Sequence, residues 1–217
     1  MQINQKSTIN LTEAAIVSII CFGLFTYWSA LAVLAGFPAA TFTNNSNTFG
    51  IFLETGLALT ALYYLKVINF DTSCLYPEPT LQGTIWGVVI FGLAWFTGYL
   101  ATAPFDTSKE PMVVEFSFKG LSLASTVIFA IVNGTFEEVF LLGVLVKGLR
   151  GYGLSVAIGV PLLIRVLYHL YQGPLGAIWI FAFGLTFTFI YIRKQQLWPL
   201  VFAHILWDIV PVIAAKS

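Results

Sequence analysis

The stretch that decides the fold is Ser122–Arg150, SLASTVIFAIVNGTFEEVFLLGVLVKGLR. At about 1.5 Å of rise per residue, a helix of this length exceeds the roughly 30 Å hydrocarbon core of a bilayer. The adjacent acids Glu137 and Glu138 interrupt the apolar run, and charged side chains in hydrocarbon usually face a bundle interior or a water-filled cavity. The stretch therefore predicts a membrane-spanning helix with a buried polar site.

The composition of the whole chain agrees with this interpretation. Of the 217 residues, 58% are hydrophobic and 9% are charged, whereas a soluble domain is about a quarter charged. The formal net charge is zero and no block of basic residues is present, so nucleic acid is not expected as a partner. The two cysteines, Cys21 and Cys74, lie too far apart for a metal-binding knuckle. We expect an integral membrane protein whose partners are the lipid bilayer and a peptide or membrane-protein substrate.

Six further apolar stretches have the character of membrane spans. They are Ala14–Gly36, Phe49–Val67, Thr84–Pro104, Leu154–Gln172, Leu175–Ile192 and Trp198–Ala214. The prediction is an all-α, polytopic transmembrane bundle of about seven spans, with an eighth helix within Asp106–Lys119 as the alternative. We treat residues 1–217 as one membrane domain, with a catalytic core at 122–214 and additional N-terminal spans at 1–121.

The distribution of basic residues predicts the orientation of the bundle. One side of the predicted membrane holds six basic residues: Lys6, Lys66, Lys147, Arg150, Arg193 and Lys194. The other side holds three: Lys109, Lys119 and Lys216. The positive-inside rule then places the N-terminus in the cytoplasm and the C-terminus outside. We expect a location in a bacterial plasma membrane.

Both histidines of the chain lie in predicted spans, four residues from another ionisable group. Arg165 precedes His169, and His204 precedes Asp208, so each pair shares one helix face. Counted from the helix ends at about 1.5 Å per residue, Glu137, His169 and His204 fall at similar depths. We expect helices four, five and seven to bring these groups together in one layer.

These residue types form a set suited to amide hydrolysis. Glu137 could act as a general base for water, His169 could orient that water, and His204 with Asp208 could face the developing oxyanion. Adjacent residues on a helix point about 100° apart, so Glu138 should have a different role from Glu137. Glu54 in the second span belongs to no motif, and we interpret it as a protonated or cavity-facing acid.

Three ordered motifs resemble those of the CPBP intramembrane proteases, also called ABI, which are related to the type II CAAX prenyl endopeptidases. The family pattern is EExxxR, then FxxxH, then HxxxN or HxxxD, each on a core membrane helix. The matching segments are EEVFLLG from Glu137, RVLYHLYQG from Arg165 and HILWD from His204. The resemblance covers about Ser122–Ala214 and implies a glutamate-dependent or metal-assisted peptidase that cuts within or near the membrane.

The chain departs from this pattern at two positions. Leu142 replaces the arginine of the first motif, and Arg165 replaces the phenylalanine of the second. Both changes could cancel if Arg165 supplies the counter-charge to Glu138 from the fifth helix. We therefore predict a structural ion pair between Arg165 and Glu138.

Other interpretations of the buried groups stay open. Two imidazoles and a carboxylate, from Glu137, His169 and His204, could hold zinc with an open fourth position, although the favoured mechanism requires no cofactor. Because the motif arginine is absent, an alternative is a binding protein that keeps the fold without the catalytic activity and acts as an immunity factor or scaffold. A small transporter or proton relay would predict internal repeats, which the sequence does not show. The buried acids and histidines could also be purely structural contacts between helices. Oligomeric state is left open.

Overall fold

The fold of this chain is a bundle of helices. The computed structural model describes residues 6–105 and 114–216, and seven α-helices lie within them. Their bounds are α1 Leu11–Leu34, α2 Asn44–Val67, α3 Leu81–Thr102, α4 Leu123–Glu138, α5 Leu154–His169, α6 Gly173–Lys194 and α7 Trp198–Ala214. Two short strands, β1 (Ala40–Thr41) and β2 (Phe116–Ser117), pair in parallel beside the helices.

Most of these helices are long and apolar enough to cross a membrane. The described residues contain five candidate spans: α1, α2, α3, Leu123–Val146 and the continuous helical segment Leu154–Lys194, which includes α5 and α6. The last helix, α7, is apolar but has 17 residues and is shorter than a typical span. An all-α integral membrane fold is thus confirmed, whereas the count of seven spans stays a prediction. The alternative eighth helix falls largely on residues 106–113, which lie outside the described residues.

The second helix begins earlier than the sequence predicts. The polar residues at 38–47 indicate a loop, yet α2 starts at Asn44 rather than at Phe49. The reason is a capping box, in which the Thr43 hydroxyl accepts a hydrogen bond from the Ser46 amide and the Ser46 hydroxyl accepts one from the Thr43 amide. These bonds satisfy amide groups at the helix start, so polar residues form its first turn.

The sequence predicts one continuous helix from Ser122 to about Arg150. The structure differs, because only Leu123–Glu138 of this stretch is α-helical. Directly after Glu138 it continues as a π-helix over Val139–Val146 and then as a 3₁₀ turn over Leu149–Tyr152. All eight residues of the π-helix are apolar or glycine and are buried. Such a stretch has no amphipathic periodicity, so packing against neighbouring helices sets its winding. Short π-helical segments occur frequently at functional sites, and this one begins beside the acid pair.

Close packing of α7 against α4 positions the polar residues of both helices. A Cβ atom on Gly134 of α4 would lie 3.3 Å from the His204 Cβ and 3.3 Å from the Ile205 amide nitrogen. The glycine therefore allows the two backbones to approach closely, as small residues commonly do between membrane helices. Helix α4 also packs against α2, while α1 packs against α5 and α3 packs against both α6 and α7.

Candidate active site

The polar residues predicted to meet in mid-membrane line one cavity. This cavity has a volume of about 610 Å³, and its walls combine aromatic rings with ionisable side chains. The acids and histidines among its lining residues are Glu54 of α2, Glu137 of α4, His169 of α5, and His204 and Asp208 of α7. The structure thus brings Glu137, His169, His204 and Asp208 to one place.

Aromatic side chains form much of the remaining wall. Three rings near the two strands line the cavity together: Phe42, Phe116 and Phe118. The ring centroid of Phe42 lies 5.9 Å from that of Phe116 and 5.5 Å from that of Phe118. Phe22 and Phe25 of α1 contribute from another side. An apolar wall around a few polar groups is typical of a ligand-binding cavity.

Glu138 lies behind this cavity in a buried network. Its Oε2 atom is 2.8 Å from Nη2 of Arg165, and its Oε1 atom is 2.6 Å from Nδ1 of His204. Both charged side chains of the ion pair are almost fully excluded from solvent. The Arg165 guanidinium also lies 5.1 Å from the centre of the Phe183 ring. A buried carboxylate needs such compensation, and here a guanidinium and an imidazole supply it.

Glu137 lines the cavity, and one of its carboxylate oxygens is held by a hydrogen bond. The Tyr168 hydroxyl donates a hydrogen bond of 2.5 Å to Oε2, and Nη1 of Arg165 lies 3.7 Å from the same oxygen. The Oε1 atom lies 3.9 Å from Nε2 of His169, and Oε2 lies 3.9 Å from Nε2 of His204. These separations exceed a direct hydrogen bond and suit a bridging water molecule.

The two histidines are oriented through their Nδ1 atoms. Nδ1 of His169 lies 2.9 Å from the Arg165 carbonyl oxygen, which can only accept a hydrogen bond, so Nδ1 carries the hydrogen. Nδ1 of His204 likewise donates to the Glu138 carboxylate. In both rings, Nε2 is therefore the nitrogen that faces Glu137. Fixing one ring nitrogen in this way sets the chemistry available to the other.

Asp208 lies near His204 and accepts a hydrogen bond from Asn133. Its Oδ1 atom is 3.8 Å from Nε2 of His204, and its Oδ2 atom accepts a 2.9 Å hydrogen bond from the Asn133 side-chain amide. The same amide nitrogen lies 3.5 Å from Nε2 of His204. Asn133 of α4 therefore contacts both polar residues of the α7 motif, His204 and Asp208.

The sequence analysis does not identify two residues of the cavity, Asn133 and Tyr168. Asn133 lies four residues before Glu137 on the same helix, so helical spacing alone could have indicated it. Tyr168 precedes His169, and its contact with Glu137 depends on the packing of α4 against α5. Glu54 is predicted to be a protonated or cavity-facing acid, and it does line the cavity, where the packing of α2 against α4 places it.

The residues present are a poor fit for a metal ion. Among the described residues, Glu137, Glu138 and His204 place ligand atoms within 4.8 Å of one another. Both oxygens of Glu138 already bind Arg165 and His204, so a cation there would compete with a buried guanidinium. His169, which belongs to the predicted zinc set, is not a member of this group.

Comparison with known proteins gives one finding for this part of the chain. The model of a family described as "Type II CAAX prenyl endopeptidase Rce1-like" matches residues 119–210, which include all three motifs. No curated protein and no solved structure matches the chain. The match confirms the resemblance that the motifs predict: residues 119–210 are similar to the family of Rce1-like type II CAAX prenyl endopeptidases.

Proposed function

We propose that the protein is a membrane-embedded endopeptidase in which Glu137 activates a water molecule. The observation that carries the proposal is the 3.9 Å separation between Oε1 of Glu137 and Nε2 of His169, at the wall of one cavity. A water molecule about 2.8 Å from both atoms would donate one hydrogen bond to the carboxylate and one to the imidazole. The family match to residues 119–210 independently supports peptide hydrolysis.

The reaction then follows from the positions of these groups. Glu137 takes a proton from the water as its oxygen bonds to the peptide carbonyl carbon, which gives a tetrahedral intermediate. Glu137 next passes that proton to the amide nitrogen as the carbon–nitrogen bond breaks, which leaves a carboxylic acid and an amine. This sequence returns Glu137 to its starting carboxylate form and requires no cofactor.

The remaining polar groups stabilise charge and hold the base. His204, in its imidazolium form, presents Nε2–H to the oxyanion, with Asn133 and Asp208 beside it. Tyr168 fixes one oxygen of Glu137, which leaves the other free for water. Arg165 and Glu138 act from behind the cavity as an ion pair that positions His204.

The test is proteolysis by the purified protein in liposomes, with a pool of membrane proteins and peptides as substrate. New peptide termini would be identified by mass spectrometry for the wild type, for Glu137→Gln and for His169→Ala. Glu78→Gln is the matched control because Glu78 is an exposed loop acid. General base catalysis contributes about 10²–10⁴-fold, so Glu137→Gln should lose product on that scale while Glu78→Gln should not.

The same variants distinguish a protease from a binding protein. A scaffold or immunity protein with this fold would keep its biological effect when Glu137 becomes glutamine, because binding does not need the base. If Glu137→Gln restores cells that lack the protein as well as the wild type does, and the wild type yields no new termini, the peptidase proposal is contradicted.

A further inference from the structure

Glu54 is the buried acid of the cavity that the proposed mechanism does not use. It belongs to α2, outside the segment 119–210 that matches the family model. Its exposed fraction is 3%, it lines the same cavity as Glu137, and its Oε2 atom has no hydrogen-bond partner. A buried carboxylate oxygen without a donor is costly, so the site calls for a group that supplies one.

The other carboxylates near the cavity all have donors. Glu138 has Arg165 and His204, Glu137 has Tyr168, and Asp208 has Asn133. Glu54 differs because its Oε2 atom is buried and accepts no hydrogen bond from the described residues, while the residue itself lines the cavity.

The charges around Glu54 also favour a cation. The charged groups that act on it include two acids, Glu137 and Asp208, and one imidazolium, His204, so negative charge exceeds positive charge. Among the described residues, no lysine or arginine lines the cavity. The Arg165 guanidinium lies 3.7 Å from Glu137 but outside the cavity lining, so a bound cation would face Glu54 and the other carboxylates first.

We propose that Glu54 is the subsite for a positively charged side chain of the substrate, which would be a lysine or arginine within an otherwise apolar peptide segment. That the bound peptide is a substrate rests on the proposed peptidase function, whereas the binding site itself does not depend on hydrolysis. The ammonium or guanidinium would donate to Glu54, while its aliphatic stem would lie along apolar wall residues such as Leu53, Phe129 and Phe136.

The first experiment measures binding in the His169→Ala background, which keeps all the cavity carboxylates and in which cleavage is expected to be lost. The probes are ten-residue leucine–alanine peptides with one lysine at each position in turn, and matched peptides with norleucine in its place. Norleucine keeps the apolar stem and lacks the ammonium. We expect the best lysine peptide to bind at least about tenfold tighter than its norleucine partner.

The variants assign that preference to Glu54. Adding Glu54→Gln should reduce the lysine preference to within about twofold, whereas Glu54→Asp, which keeps the charge, should retain part of it. Thr60→Ala is the control, because Thr60 lies exposed on α2 and lines neither this cavity nor the neighbouring groove between α2 and α4. Thermal unfolding of each variant in detergent establishes that it is folded.

The outcomes separate the subsite from the proposed function. The subsite proposal is overturned if no lysine peptide binds, if lysine and norleucine bind alike, or if the preference survives Glu54→Gln. Cleavage of these peptides by the wild type without any charge preference would leave the peptidase standing and remove the subsite. Charge-dependent binding, with no new termini from the pool of membrane proteins and peptides, would leave the subsite standing and remove the peptidase.

Discussion

The N-terminal helices and the segment that carries the motifs differ in how much of their surface is buried. We compare the buried share of an 18-residue apolar window in each candidate span. This share is 61% in Leu123–Val146, against 22%, 17% and 22% in α1, α2 and α3. The central helix can therefore carry charges, because protein rather than lipid surrounds them. The outer helices can carry charges only on the faces that they turn toward the other helices.

The outer helices nevertheless build part of the site. Phe22 of α1 stacks on Tyr168 with ring centroids 5.0 Å apart, and the Ser29 hydroxyl accepts a hydrogen bond from the Tyr171 amide. Helix α2 contributes Glu54 to the cavity. The family-matched segment thus holds the proposed catalytic groups, and the N-terminal helices shape the space around them.

The largest expected effect concerns the buried ion pair in the family-matched segment. Replacing Arg165 by methionine leaves Glu138 without its guanidinium, which should lower the free energy of unfolding by about 3–5 kcal/mol. Lys66→Met in the N-terminal region removes an exposed charge and should change it by less than about 0.5 kcal/mol. Thermal and denaturant unfolding in detergent measure both. If the double reversal Glu138→Arg with Arg165→Glu regains nothing that either single reversal loses, the ion pair is not structural.

The next effect concerns the orientation of the base. Tyr168→Phe removes one hydrogen bond to the Glu137 carboxylate while keeping the ring that stacks on Phe22. Hydrogen bonds to charged groups contribute about 1.5–3 kcal/mol, so peptide cleavage should fall by about tenfold or more. Tyr63→Phe is the matched control, because Tyr63 is exposed on α2. Equal rates for the two variants would mean that Tyr168 does not hold the base.

A smaller effect is expected at the last motif. Asp208→Asn keeps the shape of the side chain and an oxygen that can accept the Asn133 hydrogen bond. The family motif, which takes asparagine or aspartate here, predicts the same tolerance. Cleavage should therefore change by less than about tenfold, whereas Asp208→Ala should lose more. A rate for Asp208→Asn as low as that for Asp208→Ala would show that the charge itself is required.

The smallest effect is expected from metal removal. Because the oxygens of Glu138 already bind Arg165 and His204, the proposed mechanism predicts the same cleavage rate with or without prolonged exposure to a chelator. Loss of activity with EDTA or phenanthroline, restored by added zinc, would argue instead for a metal-assisted reaction.

The sequence predicts the parts of the site that depend on spacing within one helix. Arg165 and His169, or His204 and Asp208, are aligned by their four-residue separation alone. The hydrogen bond from Tyr168 to Glu137 and the place of Glu54 depend instead on how separate helices pack. The π-helix after Glu138 could not be predicted, because its uniformly apolar residues carry no periodic signal.

The most direct test of the central claim measures whether water reaches Glu137, His169 and His204. In a background with Cys21→Ala and Cys74→Ser, each of the three is replaced singly by cysteine and treated with a small charged methanethiosulfonate. Phe52→Cys on α2 and Phe189→Cys on α6 are the controls, because both side chains are exposed on the outer surface of the bundle. We expect the three cavity cysteines to react at least about tenfold faster than these controls, since the thiolate is the reacting form and needs water. Equally slow reaction at all five positions would contradict a shared, water-accessible site.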